Sequence, residues 1–225
     1  MSFQRARSED QRLQRREAIL AAAAEMLTQM PVAELTLTGL SKRVGLAKSN
    51  VLRYFESRED VLLELLVRSA REWVTEFSDA VTATVDPDAP LELRIDSVAE
   101  IFATTGAAHP RLLDLLSAQA SVLERNVSAE AVLRFKRAAL EVVTALAAAL
   151  RRAINELGDD AIDLCALAVP LAGAVFAQSQ QSGACAEVYR ADPSLEVFRV
   201  HLVPGLREMF ATLVAGALAR GRPRS

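Results

Sequence analysis

The chain has almost no cysteine: only Cys165 and Cys185 occur among 225 residues. Two are too few for a disulfide framework, and neither sits in a metal-ligand spacing. Aromatics are also scarce, at 5 %. Alternating runs of Val, Thr and Tyr are rare, which argues against a sheet-built protein. Long hydrophobic runs are missing as well. The longest charge-free stretch, Leu164–Ala186, is broken by Pro170, by the polar Gln178–Gln181 and by Gly183. Its strongly apolar part, Leu164–Ala177, is short for a membrane span. The first residues are polar and charged, with no secretory pattern. A soluble, cytoplasmic protein is expected.

What the chain does have is Ala and Leu, both strong helix formers, within a hydrophobic content of 51 %. The expected fold class is all-α, with about nine helices. The net charge of −3 is unevenly spread. Residues 1–58 hold ten Lys/Arg against six acids, a net +4, and the remainder is −7. A basic N-terminal unit on an acidic body suits a polyanion partner.

Helix punctuation divides the chain. Residues 1–8 read as a flexible basic arm with Arg5 and Arg7, and Arg12 follows just beyond it. A first helix over about Glu9–Gln29 buries Ile19, Ala23, Met26, Leu27 and Met30, and Pro31 closes it. Two short helices, Leu37–Val44 and Lys48–Tyr54, flank a turn at Gly45–Ala47. Ser57-Arg58-Glu59-Asp60 reads as a capping box opening a long helix, with a stripe of Leu62, Leu66, Ala70, Trp73 and Phe77. Further helices are expected at Leu91–Ala108, from Pro110 to about Arg125, at Ser128–Leu157, at Asp159–Gln181 and at Ser194–Arg220. The last two are apolar around much of their circumference and contain Pro170 and Pro204. An interior proline costs a helix roughly 3 kcal/mol unless packing compensates. Helices this apolar need burial, and a second copy of the chain is the expected cover.

Two short helices joined by a glycine-containing turn form a helix-turn-helix pattern. Leu37, Leu40 and Val44 share one face of the first, while Val51 and Phe55 anchor the second. Lys48, Ser49, Asn50, Arg53 and Tyr54 are left facing outward, on a helix narrow enough for the major groove.

An ordered set of residues makes the pattern specific. It comprises Arg16-Glu17-Ala18-Ile19-Leu20, Ala22-Ala23, Thr36-Leu37, Leu40-Ser41, the run Val44–Phe55, Ser57-Arg58-Glu59 and Leu62-Leu63. Over about residues 12–66 the chain resembles the DNA-binding domain of the TetR family. The rest is similar only in being helical and of suitable length. The resemblance implies a dimeric regulator, usually a repressor, that binds a palindromic operator and releases it when a small molecule occupies the C-terminal domain. It implies a division into residues 1–57, the DNA-binding unit with its basic arm, and 58–225, the effector-binding and dimerisation unit. Dimer contacts would come from the helices near 159–181 and 194–220.

The same resemblance points to Thr36, Lys48, Ser49, Asn50, Tyr54 and Arg58 as DNA contacts. Each has a plainer alternative: Thr36 as a cap, Lys48 and Arg58 as solvated charges, Ser49 and Asn50 bonded to local backbone, and Tyr54 packed on the first helix. Three departures stand out. Pro31 replaces the usual glycine, Ala47 replaces the serine cap of the recognition helix, and Leu52 replaces its central tyrosine. Leu52 is therefore not carried over as a phosphate contact. These departures also motivate an alternative, a helical interaction module of the same fold with degenerate DNA binding.

Candidate effector-site residues are Trp73, Phe77, Phe102, Phe135 and Phe176, although ordinary core is the plainer reading of each. His109 and His201 are isolated. No nucleophile elbow, zinc motif or phosphate loop is present; Gly39 and Gly45 have loop spacing, but Leu46 stands where lysine is needed. No enzyme activity, cofactor or metal is expected.

Overall fold

The computed structural model describes residues 2–220, with side chains from Asp10 onward. Among these residues the regular structure is helical: ten α-helices and four short 3-10 segments. The first helix, α1, spans Ser2–Met26. Helix thus replaces the expected arm, because Ser2–Met26 holds neither Gly nor Pro and is rich in Arg, Gln, Glu and Ala. The side chains of Arg5 and Arg7 lie outside the described residues.

Next come α2 (Leu37–Val44) and α3 (Lys48–Val51), then the long α4 (Arg58–Thr84). The recognition segment is shorter than the expected Lys48–Tyr54. After Val51 it tightens, with Arg53 and Tyr54 donating to carbonyls three residues back at 3.3 and 3.0 Å. Ser57 caps α4 as anticipated, accepting from the Asp60 amide at 3.1 Å. The returning carboxylate of Asp60 bonds one residue further upstream than a capping box requires, to the Glu56 amide at 3.1 Å.

The body follows as α5 (Leu91–Ala107), α6 (Pro110–Gln119), α7 (Ala129–Ala153) and α8 (Asp160–Ser179). Then come α9 (Gly183–Ala191) and α10 (Leu202–Arg220). Helix α9 was not anticipated. The helix expected over Ser194–Arg220 is split instead. Asp192 caps a 3-10 segment, Pro193–Phe198, and α10 begins afresh at Leu202. Pro204 explains the break. Its ring would clash with the Val200 carbonyl in a continuous helix, whereas in the first turn of α10 its missing amide costs nothing. Among the described residues, only Pro170 lies within a helix interior, that of α8.

Helix α4 ties the two regions together. Its first turns pack against α1, and its remainder lies along α7, α5 and α6. In the head, Ile19, Leu20, Ala23, Leu40, Val51 and Phe55 are buried together with Leu62 of α4. In the body, Trp73, Phe77, Phe102 and Phe210 form one aromatic cluster, with Phe102 stacked on Phe210 at 4.1 Å. Helix α8 presses on α6 so closely that Gly173 is needed: a Cβ there would lie 2.6 Å from the Leu116 carbonyl carbon. Helices α8 and α10 are each long and apolar enough to cross a membrane by length and composition, yet both pack against this body.

Candidate nucleic-acid interface

The reading face is built on a short α3 held from behind. Val51 and Phe55 are fully buried, so the residues between and before them are turned outward. Lys48, Ser49, Asn50 and Arg53 are all exposed. Gly45 makes the turn possible, closing α2 in the left-handed region at φ 71°. A side chain would be strained in that conformation. Ala47 occupies the N-cap of α3 with extended backbone but offers no side-chain bond. Leu52 projects to the surface, 42 % exposed.

Thr36 caps α2, its hydroxyl accepting from the Gly39 amide at 3.0 Å. The threonine is exposed at that helix end. Tyr54 is half-buried, and its carbonyl accepts from the Arg16 guanidinium at 2.5 Å. Arg58 differs from the other five. It donates to the Leu35 carbonyl at 2.9 Å and lies 3.1 Å from the Glu59 carboxylate. Its charge is spent on joining α4 to the segment before α2.

Two features escaped the sequence reading. One is Arg16, which also lies 4.1 Å over the Phe55 ring and is paired with Glu64. Beside it, Arg68 bonds the Glu17 carboxylate at 2.5 and 2.6 Å, which holds that carboxyl below its usual range. These contacts clamp α1 and α4 behind the reading face. The other is an open concavity of about 850 Å³ lined by Gln11, Arg12, Gln14 and Arg15 of α1 with Arg53 and Tyr54. Arg12 and Arg15 recur at three-residue spacing on one helical face, a signal the sequence did contain.

Beyond the α1–α4 contacts, further hydrogen bonds fasten the head to the body. Glu56 accepts from the amide and the hydroxyl of Ser128, the N-cap of α7. Asp114 of α6 accepts from the Val32 amide at 2.7 Å.

The aromatic candidates in the body do not converge. Trp73, Phe77 and Phe102 contact one another, and the Trp73 indole donates to Thr105 at 3.0 Å. They fill core. Phe176 lies by a separate concavity next to Pro31 and His109. Phe135 alone borders an apolar groove of about 370 Å³ between α4, α6, α7 and α8. His109 pairs with Glu76 at 2.7 Å. Burial pushes the Cys165 thiol up to about 12, which leaves it protonated and unreactive at neutral pH.

Residues 19–65 match the model for bacterial regulatory proteins of the tetR family, and residues 67–221 match the tetracyclin repressor-like C-terminal domain. The nucleoid occlusion factor SlmA of Marinobacter nauticus is 38 % identical over 65 residues, 29 % of this chain; the match spans only 33 % of that relative's length. Solved structures of similar shape include the fatty acid degradation regulator FadR of Bacillus halodurans. It has 16 % identity, a TM-score of 0.48, and coverage of 92 % of this chain and 99 % of its own. Another is SmeT, described as the repressor of a Stenotrophomonas maltophilia multidrug efflux pump. Its identity is 20 %, its TM-score 0.45, and coverage is 89 % of both chains. Likenesses of this size add nothing about function, and the assignment rests on the two family models. Together they span nearly the whole of this helix-turn-helix head and helical body, and the chain belongs to the TetR family of DNA-binding transcriptional regulators.

Proposed function

We propose that the protein is a cytoplasmic repressor that binds a palindromic operator as a dimer and releases it when a small molecule enters the body. The observation that carries the reading is the outward face of α3. Lys48, Ser49 and Asn50 are exposed together on a segment anchored by buried Val51 and Phe55. Lys48 supplies a long cation for a guanine edge or a phosphate, and Asn50 suits an adenine edge. Ser49 reaches base or phosphate. Thr36 and Tyr54 flank this face and serve the backbone, as do Arg12, Arg15 and Arg53. Arg58 is the exception among the candidates, and we assign it to positioning. Residues 1–57 act as head and 58–225 as body, with α4 as the lever.

Dimerisation through α8 and α10 is supported by their unused apolar surface. Only 33 % and 17 % of their most apolar windows are buried within one chain. A twofold axis there presents two heads to successive major grooves, roughly 35 Å apart. The effector site is the apolar groove, lined by Leu66, Ala70, Leu116, Phe135, Val143 and Val169. Two of the bonds to the head come from helices that form its walls, since Ser128 caps α7 and Asp114 lies on α6.

Selection of bound sequences from a randomised DNA pool tests the reading. A palindrome should emerge, affinity should fall steeply with salt, and Lys48→Ala should weaken binding by about 1–3 kcal/mol. A second reading draws on the uncapped Ala47 and the exposed Leu52: an interaction module whose reading head has degenerated. Enrichment of no sequence would favour that one.

A further inference from the structure

We infer that the effector is an amphipathic anion, its apolar body lying in the groove and its acidic group reaching the arginines where the groove meets α1. This rests on the reading of the groove as the effector site.

The first observation is adjacency. The apolar groove is bordered by a second cavity of about 250 Å³, and Val67 of α4 and Phe135 of α7 line both. Past those two side chains the character of the wall changes. Arg16, Arg68, Arg71 and Arg134 line the smaller cavity, against Asp60 and Glu64. The buried Val67 and Phe135 thus stand between an apolar groove and a neighbouring guanidinium-rich cavity, and a ligand long enough to pass them meets both.

The second observation is how loosely two of those arginines are engaged. Arg71 meets Glu141 at 2.7 Å with both side chains more than half exposed. Arg134 is half exposed and reaches Asp60 and Glu130 only at 3.3 Å. Exposed pairs of this kind contribute little, so a ligand carboxylate or phosphate can take their place. Guanidinium bonds such a group in a two-pronged geometry that a neutral ligand cannot offer. A cationic ligand gains no such bonds from the guanidinium groups.

The position of that end matters. Arg16 and Arg68 join α1 to α4 through Glu64 and Glu17. An anion arriving beside them competes with Glu64 for both guanidinium groups. It loosens the clamp behind the reading face at the moment the groove fills, and linkage requires that DNA weaken the anion's binding in return.

Calorimetry on the full chain with laurate, dodecanol and dodecyltrimethylammonium, all below their micelle concentrations, tests this. Laurate should bind about tenfold or more tighter than the alcohol, and the ammonium should bind no tighter than the alcohol. Substituting both Arg71→Gln and Arg134→Gln should lower laurate to the affinity of the alcohol, while Arg71→Lys alone keeps the preference. Ala139→Trp, which fills the apolar length, should abolish binding of laurate and alcohol alike. If the ammonium or the alcohol matches laurate in the wild type, or no amphiphile binds, the anion class is wrong. If the glutamine variants leave the preference intact, the arginine assignment fails with it. Alcohol binding that Ala139→Trp removes would leave the groove standing as the effector site. Binding that survives Ala139→Trp would overturn both readings.

Discussion

The Glu56 carboxylate, in the loop between α3 and α4, receives both donors of Ser128, the backbone amide at 2.5 Å and the hydroxyl at 2.7 Å. The Ser128 oxygen in turn accepts from the Ala131 amide at 3.1 Å. A residue of the head therefore completes the cap of a helix in the body. A negative charge at that helix start is also favoured by its dipole.

These bonds from Ser128 hold the Glu56 carboxyl below its ordinary value of 4.5. A depressed pKa means that the stabilisation is complete above that ordinary value and is lost as pH falls through the lower folded value. Glu56→Gln should melt below wild type at neutral pH, and the gap should close as pH drops below about 4.5. Thermal melts across a pH series decide it. A gap that persists unchanged into strong acid would show that the charge plays no part.

Ala47 has the extended backbone of an N-cap and lacks the oxygen that would use it. Ala47→Ser should stabilise the protein by about 1 kcal/mol. For a chain of this size that is about 2–4 °C in Tm. Denaturant titration measures it directly, and no gain would mean that α3 is not limited by its cap.

Gly173 lets α8 approach the α6 backbone, leaving no room for a methyl group against Leu116 and Ser117. Gly173→Ala should cost about 1–3 kcal/mol by overpacking. Gly183→Ala is the matched control. Nothing lies within 4 Å of that position, so its stability should hold or rise slightly. Equal effects of the two would remove the close approach as the cause.

Leu167 of α8 is 51 % exposed on one chain. Leu167→Glu should place a charge in the proposed dimer contact and shift sedimentation toward the monomer. Operator affinity should fall with it, because two half-sites are then bound independently. A variant that stays dimeric would move the interface elsewhere.

Much of the head was legible in the sequence because its determinants are local. The periods of α1, α2 and α4, the glycine turn and the Ser57 cap are set by side chains within a few residues of the backbone they govern. Helix α9 and the break before α10 were less legible. There Pro204 acts on a carbonyl four residues earlier, and a strong start signal at Asp192-Pro193 opened only a short 3-10 segment. Residue types alone also did not show the bonds that Arg58 makes to the Leu35 carbonyl and the Glu59 carboxylate.

The sequence by itself determined an all-helical chain, the place of its reading helix and the family resemblance, since each follows from residue spacing along one strand of covalent structure. Only the tertiary structure decided which aromatics are core, where an apolar groove meets four arginines, and how Glu56 and Asp114 fasten head to body. Those are contacts between residues tens of positions apart. Their geometry depends on how helices of several lengths pack against one another, and spacing within any one helix does not encode it.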